Sequence, residues 1–250
     1  MKILLTTFLS VLLVPQSLAQ SKPDKYLNDL RGTVHTVRRT DTVEVKETGK
    51  PLKTDNIVEF IETYDRQGNL AEKKSTAGLN LQQSVFSHDG QGRRIEKMAD
   101  VPPNPLAPPR PAVPGGGERN ADFLTLITTY RYDAEKRQLE AATKRLNGQW
   151  LWIDTYLFDE KGWVIERARK DKPEDAYGSR FRFVYKHDER GVQVESASYT
   201  AEGKLQEKTG YKDISVDSRG NWIKRTATTA DTNGKVRDMT VTSIREITYY

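Results

Sequence analysis

The chain has 250 residues, a formal net charge of +5 and no cysteine. The lack of cysteine excludes disulfide bonds, thiolate metal sites and cysteine nucleophiles, so burial and backbone pairing must stabilise the fold. Positive and negative side chains are interspersed along the chain, which favours solvated strand faces over a basic track for nucleic acid. We therefore expect no nucleic-acid partner.

The first residues have the pattern of a secretory signal peptide. Lys2 precedes an apolar run at residues 3–14, and Ser17 and Ala19 supply the small side chains that a signal peptidase accepts. The run is shorter than the roughly 20 apolar residues of a transmembrane helix. We expect residues 1–19 to be removed and the mature protein to be periplasmic or secreted, in a bacterium. The alternative is an uncleaved signal that anchors the chain.

A segment rich in proline and glycine interrupts the chain at residues 101–121. Seven prolines lie between Val101 and Pro114, and three glycines follow them. Proline lacks a backbone donor and fixes φ, so this segment is predicted to be a loop between two strands or a linker. The predicted sheet accordingly has an N-terminal part at residues 20–100 and a C-terminal part at residues 122–250.

The remaining sequence has the alternation of antiparallel strands. Phe181, Phe183 and Tyr185 alternate with Arg180 and Arg182, which is the period of two of a half-solvated strand. Beyond the signal peptide, the only helix expected is a short turn near residues 24–30. The predicted fold is all-β: an antiparallel meander of about fourteen strands, built from repeated hairpins, that forms a twisted open sheet or a partly closed barrel.

The spacing Asp-x-x-Gly recurs where these strands should reverse. The aspartate can accept hydrogen bonds from backbone N–H groups, and the glycine can take the positive φ that closes a hairpin. The six copies are Asp65–Gly68, Asp89–Gly92, Asp159–Gly162, Asp188–Gly191, Asp217–Gly220 and Asp231–Gly234, and "DAEK" at Asp133 is a weaker copy. We interpret these aspartates as turn formers.

Some of these turns follow an aromatic residue and precede an aliphatic one. The clearest are YDRQGNL at residues 64–70 and FDEKGWV at residues 158–164. This arrangement resembles the YD repeat of the Rhs family from about Ile57 to the end, although outside these two turns the strict aromatic-Asp pair appears only at Tyr132. The resemblance implies a secreted bacterial repeat protein with an extracellular β-sheet architecture, and nothing about its chemistry.

The sequence carries no signature of catalysis or metal binding. His35, His88 and His187 lie in separate segments, without the spacing of zinc ligands. Residues 231–234 resemble part of a calcium loop, but Lys235 follows at once with a positive charge. We expect no catalytic residue, no metal and no cofactor. A groove with two carboxylates would suit a glycan-active hydrolase, but the sequence nominates no pair.

A group of aromatic residues gives the candidate binding site. The period of two places four of them on one face of a predicted strand, and the fifth lies just across the next turn. Flat rings offer sugars or hydrophobic polymers a large contact area, although such rows also fill cores. The candidate ligand-binding residues are Trp150, Trp152, Tyr156, Phe158 and Trp163.

These observations favour an exported, non-catalytic β-repeat protein. Its expected partner is an envelope polymer, a glycan or a protein, bound through a sheet face, and a carboxylate-dependent glycan hydrolase is the alternative. Lipid-facing positions of a membrane barrel are apolar over about 25 Å, whereas most predicted strands here carry charge. We therefore expect no stable membrane insertion after the signal peptide is removed.

Overall fold

A computed structural model describes residues 24–45, 53–77, 80–98, 125–171, 181–232, 234 and 236–250. The predicted signal peptide and the proline-rich segment lie outside these residues, and both stay predictions. Among the described residues, no helix has the length and apolar character that crossing a membrane requires.

One short helix, α1 (Asp24–Leu27), precedes fourteen strands in the described part of the chain. The strands are β1 (Val34–Val45), β2 (Lys53–Tyr64), β3 (Leu70–Ala77), β4 (Asn80–His88), β5 (Arg94–Met98), β6 (Thr125–Asp133), β7 (Gln138–Arg145), β8 (Trp150–Phe158), β9 (Val164–Lys170), β10 (Phe181–His187), β11 (Gln193–Tyr199), β12 (Leu205–Val216), β13 (Trp222–Asp231) and β14 (Val236–Tyr249).

The fourteen strands form a closed antiparallel barrel. Each strand pairs with its neighbours in the chain, and β1 pairs with β14 to close the sheet. The closing register runs from Val34 opposite Tyr249 to Val45 opposite Met239. The prediction of an all-β meander of about fourteen strands is confirmed, and closure removes the free sheet edges that an open meander would expose.

The strands on either side of the proline-rich segment are direct neighbours. Arg94 to Lys97 of β5 pair with Thr128 to Thr125 of β6. The hydrogen-bonded ladder therefore passes from the N-terminal half of the sheet to the C-terminal half without a gap.

The Asp-x-x-Gly turns have the predicted geometry. The Asp65 carboxylate accepts a hydrogen bond from the Asn69 backbone N–H at 2.8 Å, and Gly68 has a φ of +88°. Asp89, Asp159, Asp188 and Asp217 accept the equivalent backbone bond four residues on. In the weaker copy at Asp133, the positive φ falls on Arg137, one residue after the position that glycine has in the other copies.

The described N-terminal residues lie across one end of the barrel. Because successive strands alternate in direction, the turns at Asp65, Asp89, Asp133, Asp159, Asp188 and Asp217 share this end. We call residues 24–33 the N-terminal segment. Its Lys25 N–H donates to the Gly68 carbonyl at 3.0 Å, and its Arg31 N–H donates to the Asn221 side chain at 2.7 Å. The segment thereby links the β2–β3 turn to the β12–β13 turn.

Apolar side chains gather where the N-terminal segment meets the barrel. Leu30 of the segment is 1% exposed and belongs to a buried cluster with residues of β1, β2, β3 and β4. The other members of the cluster are Val34, Val37, Tyr64, Leu70 and Phe86. This packing holds the N-terminal segment over the end of the barrel. We call the segment the roof of the space beneath it.

Candidate functional site

A cavity of about 560 Å³ lies beneath the N-terminal segment. Its volume is within the range of about 300–1,000 Å³ that is usual for small-molecule sites. Exposed Lys161, in the β8–β9 turn, is part of the lining, so the cavity reaches the surface beside this turn. The side chains that matter most below are Tyr156, Arg167, Tyr185, Trp222, Arg225 and Arg245.

The period of two on adjacent strands brings arginines together in the lumen. Arg245 of β14 lies opposite Arg39 of β1, and Arg225 of β13 lies opposite Ser243, which is two residues from Arg245 in β14. Residues directly opposite each other on paired strands share a face, and so do residues two apart on one strand. Three arginines from three neighbouring strands therefore share one face of the sheet.

Arg225 and Arg245, which we call the arginine pair, both stack on Trp222. Their guanidinium carbons lie 4.0 and 3.6 Å from the ring centroid. The Nε and Nη1 atoms of both side chains are buried and have no hydrogen-bond partner within the described residues. A desolvated cation–π contact contributes about 2 kcal/mol. Burial of an unmatched ion costs several kcal/mol, so Trp222 offsets only part of that cost.

The pKa values of the arginine pair are lowered, because the cost of burying the two charges is only partly offset. Burial, together with repulsion from Arg225 and Arg39, lowers the pKa of Arg245 to about 9. Burial also lowers the pKa of Arg225. Both shifts mean that the fold disfavours the charged form of each side chain.

The nearest carboxylates are mostly engaged with other cations. Asp41 lies 3.2 Å from Arg39, and Glu62 lies 3.4 Å from Lys73. Asp29 of the N-terminal segment also lines the cavity. Within the described residues, no ion pair of 4 Å or less joins any of these acids to the arginine pair.

Asp29 is itself held in an unfavourable setting for an anion. Burial raises its pKa to about 6, although Arg245, Arg31 and Arg225 act in the opposite direction. Its backbone has a φ of +57°, a conformation that aspartate and asparagine tolerate better than most residues. The sequence position is therefore suited to a short polar side chain beneath the roof.

Elsewhere in the lumen, two half-buried arginines share one carboxylate partner. Arg167 and Arg169 of β9 both bind Asp154 of β8, which is 5% exposed. The Arg169 Nη2 and Nε atoms lie 2.6 and 2.9 Å from its two oxygens, and the Arg167 Nη2 atom lies 3.2 Å from one of them. We call these three residues the Asp154 cluster. Its bonds are of the charge-assisted, forked type that arginine forms with carboxylates.

Two of the five aromatic residues predicted to bind ligand line the cavity. Tyr156 faces it from β8, and Trp163 faces it from just beyond the β8–β9 turn. Trp163 also packs against His187, with ring centroids 5.6 Å apart. A side chain at Gly191 would collide with the Trp163 ring, which is one reason for glycine in that turn.

The other three predicted residues lie elsewhere. A register shift places Trp150 opposite Lys144, whose ammonium lies 3.9 Å from the indole centroid. Trp152 lies beneath the Arg169 guanidinium at 4.6 Å, and Phe158 is 1% exposed. The five residues therefore do not all line the cavity. Their role in binding stays a prediction.

Sequence reasoning missed the arginine pair, Asp29 and Trp222. Arg225 lies between Lys224 and Thr226, and Arg245 lies between Ile244 and Glu246, so no amphipathic pattern marks the pair as lumenal. The sequence offered one signal of this site: Trp222 lies next to a turn and three residues before Arg225. Among the described residues, no group of three or more His, Asp or Glu side chains could hold a metal ion.

No protein-family model matches the chain, and no curated protein matches it. Solved structures align with it at low similarity. A DUF1329 family protein from Desulfovibrio piger has a TM-score of 0.38 and 9% identity, over 92% of both chains. A candidate outer membrane lipoprotein-sorting protein domain from Vibrio parahaemolyticus has a TM-score of 0.35 and 9% identity, over 90% of this chain and 89% of that one. A LolA superfamily protein from Nitrosomonas europaea has a TM-score of 0.29 and 8% identity, over 93% of both.

The predicted resemblance to YD-repeat proteins of the Rhs family is wrong. The three structures that align with about nine-tenths of the chain are of the DUF1329, lipoprotein-sorting and LolA types. The recurring hairpins close into one fourteen-stranded barrel. The shared turn spacing reflects the common requirements of tight hairpins. Identities of 8–9% leave no site residue to transfer, so the function is argued from the lumen.

Proposed function

We propose that the protein is an exported, non-catalytic binding protein whose lumen holds a small amphipathic molecule of the cell envelope. The cavity of about 560 Å³ beneath the N-terminal segment is the observation that carries this proposal. Its walls combine aromatic rings with a few charged groups, the composition typical of small-molecule sites. The envelope location rests on the predicted signal peptide at residues 1–19.

The size of the cavity defines the kind of ligand. A folded partner or a polymer chain is too large for this volume, whereas a small molecule or one group of a larger molecule fits. Tyr156 and Trp163 of the predicted aromatic set would then act inside the barrel. This proposal replaces the expected sheet face with the lumen as the binding surface.

Binding is better supported than hydrolysis. Glycoside hydrolysis generally requires a pair of carboxylates that flank the scissile bond. Among the described residues that line the cavity, Asp29 is the one carboxylate. The lining therefore lacks the second acid that the hydrolase alternative would need.

Calorimetric titration with octyl amphiphiles tests the proposal. We expect the purified protein to bind octyl phosphate or 1-octanol with one molecule per chain, below the concentration at which either aggregates. Gln193 lines the cavity, and Gln193→Trp should fill it and prevent binding. Gln206 is an exposed residue of β12, so Gln206→Trp is the matched control and should bind normally. Equal binding by both variants, or no binding of any octyl compound, would contradict the proposal.

A further inference from the structure

We infer that the arginine pair is an oxyanion site, which takes the phosphate or carboxylate head of the ligand in the lumen. This inference rests on the proposed function and specifies its ligand class. The observation behind it is that Arg225 and Arg245 both present buried donor atoms that no described residue accepts from. Both side chains also line the cavity.

The donors have the chemistry that oxyanions require. A guanidinium is planar and presents its N–H groups as a fork that matches two oxygens of a phosphate or carboxylate. Trp222 holds both guanidinium groups by stacking, at 4.0 and 3.6 Å from its centroid. Because Trp222 is 2% exposed, this platform is itself fixed by packing. Stacking thus holds both arginines while their Nε and Nη1 donors have no acceptor among the described residues.

The charge around the pair favours an anion. Arg39 is matched by Asp41, and Lys73 is matched by Glu62. Asp29 attracts both guanidinium groups, Glu62 also attracts Arg245, and Arg31 adds another positive charge near the Asp29 carboxylate. The lumen beside Trp222 therefore carries a net positive charge, which one bound oxyanion would reduce.

Part of the remaining wall suits an apolar body attached to that head, and Arg167, His187 and Gln193 add polar groups to the same wall. Tyr156 and Tyr185 form part of the wall away from β13 and β14, and Val164 and Trp163 continue it towards the surface at Lys161. Such side chains bind alkyl chains or rings by contact area. An amphiphile would thus place its head at the arginine pair and its apolar part towards the β8–β9 turn.

Phosphate and carboxylate heads share the chemistry that the pair recognises, and the source could be a lipid-like amphiphile or a free oxyanion. A calorimetric series separates them: octyl phosphate, octanoate, 1-octanol, octyltrimethylammonium and inorganic phosphate. We expect octyl phosphate and octanoate to bind at least tenfold more tightly than 1-octanol. The octyltrimethylammonium cation should bind most weakly of the octyl compounds, since its head carries the charge of the arginines.

Substitutions then assign the head group to the pair. Arg225→Met and Arg245→Met should each weaken octyl phosphate binding at least tenfold and leave 1-octanol binding within about twofold. Arg245→Lys should have an intermediate effect, since an ammonium keeps the charge but lacks the fork. Arg38 of β1 is an exposed arginine, 54% accessible at its side chain, so Arg38→Met is the matched control and should bind all compounds normally.

The outcomes distinguish this inference from the proposed function. If 1-octanol and octyl phosphate bind equally, or if the Met variants keep full affinity for octyl phosphate, the oxyanion site is overturned and the lumenal function stands. If inorganic phosphate binds as tightly as octyl phosphate and the Met variants lose it, the oxyanion site stands and the amphipathic ligand is overturned. Absence of binding by every compound overturns both. Circular dichroism of each variant identifies any that fail to fold. If a Met variant does not fold, the affinity of Arg245→Lys for octyl phosphate tests the oxyanion site instead.

Discussion

Arg167 and Arg169 share the carboxylate of Asp154, whereas Arg225 and Arg245 share the ring of Trp222. Both sets lie in the lumen of one barrel, and β9, which carries the first set, is four strands away from β13 in the sheet order. The Asp154 cluster satisfies its charges within the protein. The arginine pair leaves buried donors without an acceptor in the part of the chain that the structure describes. Buried arginine alone therefore does not indicate a binding site, and the proposed oxyanion site rests on two arginines that both lack an acceptor for two donors and line the cavity.

Loss of one residue should lower the free energy of unfolding more in the Asp154 cluster than in the arginine pair. Asp154→Ala would leave Arg167 and Arg169 without their partner, and we expect the free energy of unfolding to fall by about 3 kcal/mol. Urea denaturation at pH 7 measures this. Glu160→Ala is the control, since that carboxylate is 88% exposed and should matter little. An Asp154→Ala variant as stable as the Glu160→Ala variant would mean that the cluster is not structural.

The roof over the arginine pair depends on Asn221. Its side chain accepts the Arg31 N–H and donates to the Arg31 carbonyl and to the Tyr249 hydroxyl. Asn221→Ala should cost about 2 kcal/mol, because buried backbone groups of the N-terminal segment lose their partners. Hydrogen exchange should rise in residues 24–33 and stay slow in β8 and β9. Uniform acceleration across the barrel would refute this local role.

Asp29 should make stability depend on pH in the direction opposite to a paired carboxylate. Its pKa is raised from 3.8 to about 6, so the folded chain binds its proton more tightly than the unfolded chain does. The contribution of Asp29 to stability is therefore present at low pH and lost as pH rises between those two values. Asp29→Asn should raise stability by about 1–2 kcal/mol at pH 7 and by nothing near pH 3.

Asparagine is the suitable replacement because it tolerates the positive φ at this position. Urea titrations of wild type and Asp29→Asn from pH 3 to pH 8 give the two curves. A gap that widens towards low pH would show that Asp29 is stabilised as an anion, and the electrostatic description of the roof would then be wrong.

The smallest effect is expected at Trp150, which was predicted from sequence to bind ligand. This residue packs against Lys144, apart from the cavity lining. Trp150→Ala should change octyl phosphate affinity less than twofold, whereas Tyr156→Ala, in the wall, should weaken it several-fold. Isothermal titration of the two variants decides between lumenal binding and binding at the aromatic row.

The turns and strands could be predicted from sequence because turn chemistry is local. Asp65 and Gly68 form a hairpin with groups that lie within four residues of each other. The same local signal led to the wrong family, since unrelated barrels and repeats need similar turns. The number of strands could therefore be predicted from the spacing of the turns, whereas the family to which the chain is related could not.

The lumenal site could not be predicted from the sequence, because its residues come together only when the barrel closes. Arg31 and Asn221, which fix the roof, are 190 residues apart. Along β14, Arg245 is followed by Glu246, so neither face of the strand is apolar and the pattern does not say which one points inward. The register shift at Trp150 likewise depends on the pairing of β7 with β8.

The free energy of unfolding of Arg245→Met, measured in urea at pH 7 without added ligand, tests the contrast between the two regions most directly. If the arginine pair is kept for a ligand, removal of one buried, unmatched charge should leave the apo protein at least as stable as wild type. A loss of about 3 kcal/mol, equal to that expected for Asp154→Ala, would show instead that Arg245 is a structural residue like those of the Asp154 cluster.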